Sequence, residues 1–297
     1  MDAKFLLIAA LIVIAIAFHI YWYVMERRRT HHGTLAPTPI GLGIGFVANF
    51  FDTLGIGSYA TTTSMLKLKG VIPDEKIPGT LNVGYVMSTV VQAVIFMTIV
   101  EVDLLTLVSI IGAAVVGAWL GAGIVADLPR RKVQIGMGTA LLGAAALMVV
   151  SLSGSGPAPG VALGLSGAKL AIAVGCSVVL GALMMLGIGF YAPCMIMISL
   201  LGMDPRVSYP IMMGACAFLM PSGSTQFIRK GSYDLRTAIA FLIGGPLAVL
   251  IAAPLVDAIP LFYLRILVLI VVFYTAIRML RAAAVEKAAR STAAQPA

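Results

Sequence analysis

The sequence predicts an all-α polytopic membrane protein. It consists of two inverted repeats, each a glycine-broken re-entrant hairpin plus three transmembrane helices, with an extra amino-terminal helix. Of the 297 residues, 60% are hydrophobic and 11% are charged, whereas a soluble domain is about a quarter charged. The apolar residues fall in runs near the ~20 residues that cross a bilayer. The phrase LGIGSYA, which starts at Leu54, returns as LGIGFYA at Leu186.

The two glycine phrases belong to a longer internal repeat. Further matches keep the same offset, including Gly70 with Gly202 and Pro78 with Pro210. Self-similarity at a fixed period indicates a repeat architecture. The predicted divisions are an amino-terminal helix with a basic loop (1–37), a first repeat (38–152), a Gly/Ser/Pro-rich linker (153–168), a second repeat (169–281) and a cytoplasmic tail (282–297).

The elements are predicted from nine apolar segments. They lie at about 5–25, 40–66, 82–100, 104–126, 132–152, 169–201, 208–228, 236–256 and 260–281. The first is too long and bulky for a cleaved signal, so we expect a retained helix. The second and sixth exceed one crossing, and each is interrupted by its LGIG. Each could therefore cross as a broken helix or turn back as a re-entrant hairpin.

Loop charges favour re-entrance. With the amino terminus outside, two hairpins place the basic loops at 26–29, 129–132 and 229–236 on the cytoplasmic side. If 40–66 crossed, the loop at 129–132 would lie outside and the acidic 101–103 inside. We therefore expect seven crossings and two hairpins, with nine crossings as the alternative. The predicted location is the bacterial inner membrane, multi-pass, with the amino terminus outside and the carboxyl terminus cytoplasmic.

The net charge of +8 indicates contact with anionic lipid, not with nucleic acid. The lipid bilayer and a small anionic substrate are the expected partners, and homo-oligomerisation is left open.

The candidate substrate site lies at the two breaks. A broken helix exposes N–H groups at the start of its next half, and these groups together with the helix dipole attract anions. Alternatively, the hydroxyls cap the half-helices and the amide of Asn82 binds a neighbouring helix. The candidate substrate-binding residues are Gly55, Gly57, Ser58, Tyr59, Thr62, Asn82, Gly187, Gly189, Phe190 and Tyr191.

Asp52, two residues before the first LGIG, is the candidate proton-coupling residue. An acidic side chain inside a membrane segment costs ~2.5–3.5 kcal/mol on insertion scales and usually has a function. The alternative is that its carboxyl caps the free N–H groups at the break. Other polar side chains at membrane depth receive no role here, among them Asn49, Ser88, Thr89 and Gln92.

Catalytic, cofactor and metal sites are not predicted. The chain has no phosphate loop, HExxH motif or nucleophile elbow. Its three cysteines lie in apolar segments without a CxxC or His/Cys cluster. The Met-rich stretches are typical of packing. We therefore expect neither an enzyme nor a cofactor.

Four stretches resemble the TauE/SafE sulfite-exporter family. They are GFVANFFDTLGIGSYATTT, IPGTLNVGYVMSTVVQ, GAWLGAGIVADLPRRKVQ and LGALMMLGIGFYAPCMIMISLLGMDP. Ser58 and Phe190 stand where the family's GIGGG phrase has glycines. The resemblance implies a secondary transporter for sulfite or an organosulfonate such as sulfoacetate, coupled to protons or ions in place of ATP.

The sequence leaves two alternative functions. One is a membrane enzyme or assembly subunit that uses the same midplane cavity. The other is a small-cation channel, which is disfavoured because Asp52 is the one carboxylate predicted deep in the membrane.

Overall fold

A computed structural model describes most of the chain as helices. The described residues are 3–29, 35–54, 57–73, 76–124, 160–185 and 189–256, with isolated positions between 131 and 149 and between 266 and 285. The helices are α1 Ala3–Arg27, α2 Pro39–Thr53, α3 Ser58–Lys69, α4 Ile77–Gly84, α5 Val86–Ile99, α6 Leu104–Ile124, α7 Gly167–Met184, α8 Tyr191–Leu200, α9 Ser208–Lys230 and α10 Leu235–Val256. Most of the predicted segments 132–152 and 260–281 and most of the predicted linker lie outside the described residues.

Helices of this part of the chain are long and apolar enough to span a membrane. Four pass as single helices, namely α1, α7, α9 and α10. The pair α4 and α5, bent by 45°, makes a fifth span if it is counted as one. The prediction of a polytopic helical membrane protein is therefore confirmed. The segment predicted from 82 starts earlier, at Ile77, because Pro78 occupies a position near the helix start where its missing N–H is harmless.

Two helix pairs form the most extensive contacts, α2 with α10 and α6 with α7. Glycines allow the backbones to approach in both. A Cβ placed on Gly45 would lie 3.1 Å from the Cα of Phe241 in the first pair. A Cβ on Gly181 would lie 2.8 Å from the carbonyl carbon of Ala114 in the second. Helix α9 packs between them, against α5 and α6, and α10 also contacts α5.

At one end of the bundle, called here the α5–α6 end, the chain just before α7 lies against the chain just after α8. Residues 160–166 and 201–207 lie beside the loop at 100–103, and the start of α1 is there too. The hydrogen bonds are Asp103 N to Leu163 O (2.9 Å), Asp204 N to Ala162 O (3.0 Å), Lys169 Nζ to Leu201 O (3.0 Å) and Lys4 Nζ to Val100 O (3.2 Å). The segment from α7 to α8 thus begins and ends at the same end of the bundle.

The opposite end, called the α9–α10 end, gathers the end of α1 and the starts of α2 and α4. The hydrogen bonds are Tyr233 OH to Glu26 Oε1 (2.5 Å), Trp22 Nε1 to Tyr233 OH (2.8 Å), Asp234 N to Thr80 Oγ1 (2.9 Å) and Arg236 Nε to Ala36 O (3.1 Å). The chain therefore starts α2 and, after α3, starts α4 at the same end.

Arg29 connects the end of α1 to the end of α9 through hydrogen bonds. Its guanidinium pairs with Glu26 at 2.9 Å and donates to the carbonyls of Ile228 and Arg229 in the last turn of α9. A cation is stabilised beside these carbonyls because the negative end of the helix dipole lies there. Burial, together with the hydrogen bond to Glu26, raises the pKa of Tyr233, so its hydroxyl stays protonated and donates.

Candidate functional site

The first break lies between α2 and α3. Helix α2 ends at Thr53, and Gly57 has a φ of +83°, a left-handed conformation that favours glycine. The next residue, Ser58, begins α3 and is buried. The predicted site residue Gly55 lies outside the described residues. Gly57 is needed for the turn, and the buried N–H groups that follow it require acceptors.

Asp52 supplies one of those acceptors. Its Oδ1 accepts from the backbone N–H of Ser58 at 2.5 Å. Its Oδ2 accepts from Nε2 of Gln92 on α5 at 3.2 Å. The same Nε2 donates to Oγ1 of Thr53 at 2.9 Å, while Oε1 of Gln92 is buried and has no partner in the part of the chain that the structure describes. The carboxylate therefore holds the start of α3 in the described arrangement, as the capping alternative expects.

Two side-chain hydrogen bonds join α3 to the bend between α4 and α5. The hydroxyl of Tyr59 donates to Oδ1 of Asn82 at 3.0 Å. One turn further on, the hydroxyls of Thr62 and Tyr85 lie 2.7 Å apart. The amide nitrogen of Asn82 donates to the carbonyl of Pro78 at 2.9 Å. The predicted residues Ser58, Tyr59, Thr62 and Asn82 are thus brought together, and each has a partner within the protein.

The second break lies next to the first. Helix α7 ends at Met184 and α8 starts at Tyr191, with Phe190 fully buried just before it. A Cβ placed on Gly189 would lie 3.8 Å from the Cβ of Tyr59, the one neighbour within 4 Å among the described atoms. Gly187 lies outside the described residues, and the Tyr191 side chain is not among those described. The starts of α3 and α8 therefore meet through Gly189 and Tyr59.

Helix α9 also reaches the two breaks. The hydroxyl of Tyr209 donates to the carbonyl of Leu54 at 3.5 Å. The Sγ of Cys216 lies 3.6 Å from the Sδ of Met184, where α7 ends. Cys216 also lies within electrostatic range of Asp52 and Tyr59. Helix α9 therefore brings both a hydroxyl group and a thiol to the junction.

A second group of buried polar atoms lies between α2, α5 and α10. A Cβ on Gly245 would lie 3.1 Å from Nδ2 of Asn49 and would overlap Oγ of Ser88. Within the described residues, Oδ1 of Asn49 and Oγ of Ser88 have no hydrogen-bond partner. Buried polar atoms are rarely left without a partner, so this group of atoms can accept or donate further hydrogen bonds.

The sequence prediction missed Tyr85 and gave Gln92 no role. Their spacing from Asn82 in the sequence could have indicated both residues. Tyr85 lies three residues after Asn82 and Gln92 lies seven after Tyr85, so all three share one helical stripe. Tyr85 looked like an ordinary apolar residue, because the bend that directs it toward Thr62 has no glycine phrase of its own.

Comparison with known proteins identifies a family for the amino-terminal half. The family model described as sulfite exporter TauE/SafE matches residues 1–148, about half of the chain. No curated protein and no solved structure matches. The matched range contains the first break and Asp52, and it ends before α7. The apolar spans and this match support a transmembrane transporter. Through its amino-terminal half, the chain belongs to the TauE/SafE family of sulfite exporters.

Proposed function

We propose that the protein is a secondary transporter that moves a small sulfur oxyanion, sulfite or an organosulfonate such as sulfoacetate, across the bacterial inner membrane. The observation that carries this proposal is the meeting of the two breaks at Gly189 and Tyr59. Two half-helix starts at one point supply N–H groups and two positive dipole ends to a single ligand. Family membership supports the sulfur anion as the substrate class.

The arrangement of the hairpins supports an inverted repeat. The segment from α2 to α3 starts at the α9–α10 end, and the chain is back at that end where α4 begins. The segment from α7 to α8 starts and finishes at the α5–α6 end. Two re-entrant hairpins entering from opposite sides account for both facts. Secondary transporters commonly place their substrate between such broken elements.

The packing of helices supports the same symmetry. In the repeat, α2 corresponds to α7 and α6 corresponds to α10. Exchanging the two halves turns the pair α2–α10 into the pair α7–α6, and these are the two most extensive pairs. The contact of α9 with α6 is likewise exchanged for that of α5 with α10. A two-fold axis in the membrane plane explains this reciprocal pattern.

The charges at the two ends support an orientation. The α9–α10 end carries Arg27, Arg28, Arg29, Arg229, Lys230 and Arg236 against Glu26 and Asp234, whereas at the α5–α6 end Glu101, Asp103 and Asp204 are matched in number by Lys4, Lys169 and Arg206. Because cytoplasmic loops are rich in Lys and Arg, we place the α9–α10 end in the cytoplasm and the amino terminus outside.

The substrate head group would lie where Gly57–Ser58 faces Gly189–Phe190. Three sulfonate oxygens can accept from backbone N–H groups and from the hydroxyls of Tyr59 and Thr62, once these exchange their present partners. The charge of the anion is balanced by dipole ends. Distributed charge of this kind permits release as well as capture, and transport requires both.

The test is flux of sulfite and sulfoacetate through proteoliposomes. Gly57→Val should abolish flux, since any side chain at φ +83° both strains the turn and blocks the backbone. Thr62→Val should reduce affinity and keep turnover, because its hydroxyl is one donor among several. A matched control is Gly175→Val on α7, where a Cβ meets no described atom within 4 Å. Wild-type flux in Gly57→Val, with normal membrane insertion, would refute the assignment.

A further inference from the structure

The donor expected to bind the substrate is already occupied in the described arrangement. The N–H of Ser58, the first residue of α3, donates to Oδ1 of Asp52 at 2.5 Å. A carboxylate and a sulfonate oxygen have the same preference for such an N–H. Asp52 therefore sits where an anion would sit, as a tethered substitute for the substrate.

Two negative charges at this buried point repel each other strongly, because little solvent screens them. The junction can thus hold the Asp52 carboxylate or the substrate anion, but not both. We propose that Asp52 competes with the anion for the start of α3, and that the anion binds only when Asp52 has taken up a proton. This inference rests on the proposed function, and it names how the same site is coupled.

Gln92 provides a place for the proton. Its Nε2 now donates to Oδ2 of Asp52 at 3.2 Å, while its Oε1 is fully buried and has no partner among the described residues. Rotation of the amide by half a turn exchanges these two atoms. Protonated Asp52 can then donate from Oδ2 to Oε1 of Gln92, and its Oδ1 leaves the Ser58 N–H to the substrate. In this second state the buried Oε1 of Gln92 gains the hydrogen bond that it lacks in the described arrangement.

The other titratable groups around Asp52 cannot take its role. Among the side chains that the structure describes, those that face it are Tyr59 of α3, Tyr85 at the bend before α5, and Cys216 of α9. Phenols and thiols are uncharged at neutral pH. The charged residue of α10, Arg236, binds the carbonyl of Ala36 near the α9–α10 end. A proton that accompanies the anion therefore resides on Asp52.

The transporter therefore moves the proton and the anion in the same direction and does not exchange one for the other. By linkage, a ligand that requires one proton loses about tenfold in affinity for each pH unit above the titration of Asp52. Each bound anion is accompanied by uptake of one proton, and a singly charged anion crosses without net charge.

The experiment is calorimetric titration of purified full-length protein with sulfoacetate, whose charge is constant between pH 6 and 8. Titration in two buffers of different ionisation enthalpy gives the number of protons taken up. The wild type should take up close to one proton, and its affinity should fall with pH. Asp52→Asn should take up none and vary less than about twofold over this range.

Binding by the wild type without proton uptake would overturn the coupling and leave the proposed site intact. This result needs no variant, so misfolding of Asp52→Asn does not remove the test. Gln92→Leu should retain proton uptake but bind more weakly, because protonated Asp52 loses its acceptor. Absence of sulfoacetate and sulfite binding to wild type and Asp52→Asn at every pH would overturn the proposed function itself.

Discussion

The contact between α6 and α7 depends on Gly181, and replacement by alanine should destabilise the protein. A Cβ at this position would lie 2.8 Å from the carbonyl carbon and 3.0 Å from the Cα of Ala114, and closer still to the carbonyl oxygen. Carbon atoms pack at about 3.5–4.0 Å, so the two backbones must separate by roughly 1 Å. Because the obstacle is backbone, no side-chain rotation relieves it. Overpacking of this kind costs about 1–3 kcal/mol.

Gly175→Ala on the same helix is the matched control. In the part of the chain that the structure describes, a Cβ there meets nothing within 4 Å, and the residue is exposed. Removing a glycine from a helix interior stabilises by roughly 0.5–1 kcal/mol, so the two substitutions should have opposite signs. Thermal unfolding in one detergent should give a lower Tm for Gly181→Ala and an equal or higher Tm for Gly175→Ala. Equal Tm values would refute the close approach of α6 and α7.

The remaining predictions concern the ends of the bundle. Arg29→Ala should lower the free energy of unfolding by about 1 kcal/mol, since two carbonyls at the end of α9 and Glu26 lose a charged donor; the exposed neighbour substitution Arg28→Ala should have little effect in the same melt. Cysteines placed at Gly33 and Gly70, in a cysteine-free background, should react with an impermeant reagent from the same side of the membrane. Labelling from opposite sides would favour the nine-crossing alternative.

The fold was predictable where composition and charge decide it. Long apolar runs define α1, α7, α9 and α10 to within a few residues, because a bilayer sets their length. The glycine phrases located both breaks, and Asp52, singled out for its place beside the first phrase, accepts a hydrogen bond from Ser58 at the start of α3. The bend at Tyr85 was not predictable, because no glycine phrase marks it; in the fold, the ring of Tyr85 stacks on Phe241 of α10 with centroids 4.6 Å apart.

The candidate site was predictable only in part. The sequence placed Ser58, Thr62 and Asn82 at membrane depth by residue type alone. That Asn82 accepts from Tyr59, and that Gly189 lies beside the same tyrosine, depends on how the two hairpins meet. Two interpretations of Asp52 remained open from the sequence. The hydrogen bond to Ser58 gives it the capping role in the described arrangement, and the coupling role remains a proposal.

The central claim is that the two breaks together bind the anion, and Gly189→Val tests it most directly. Unlike Gly57, this glycine has no left-handed φ, and a Cβ there makes only an ordinary contact with Tyr59. The variant should therefore fold while its side chain keeps the anion from the start of α8. Losing one or two charge-assisted bonds of about 1.5–3 kcal/mol each should weaken binding by about tenfold to several hundredfold. The measurement is the Kd of purified Gly189→Val for sulfite and sulfoacetate, with Gly175→Val as the control. Loss of binding in the first variant alone supports the account, and wild-type affinity in both would contradict it.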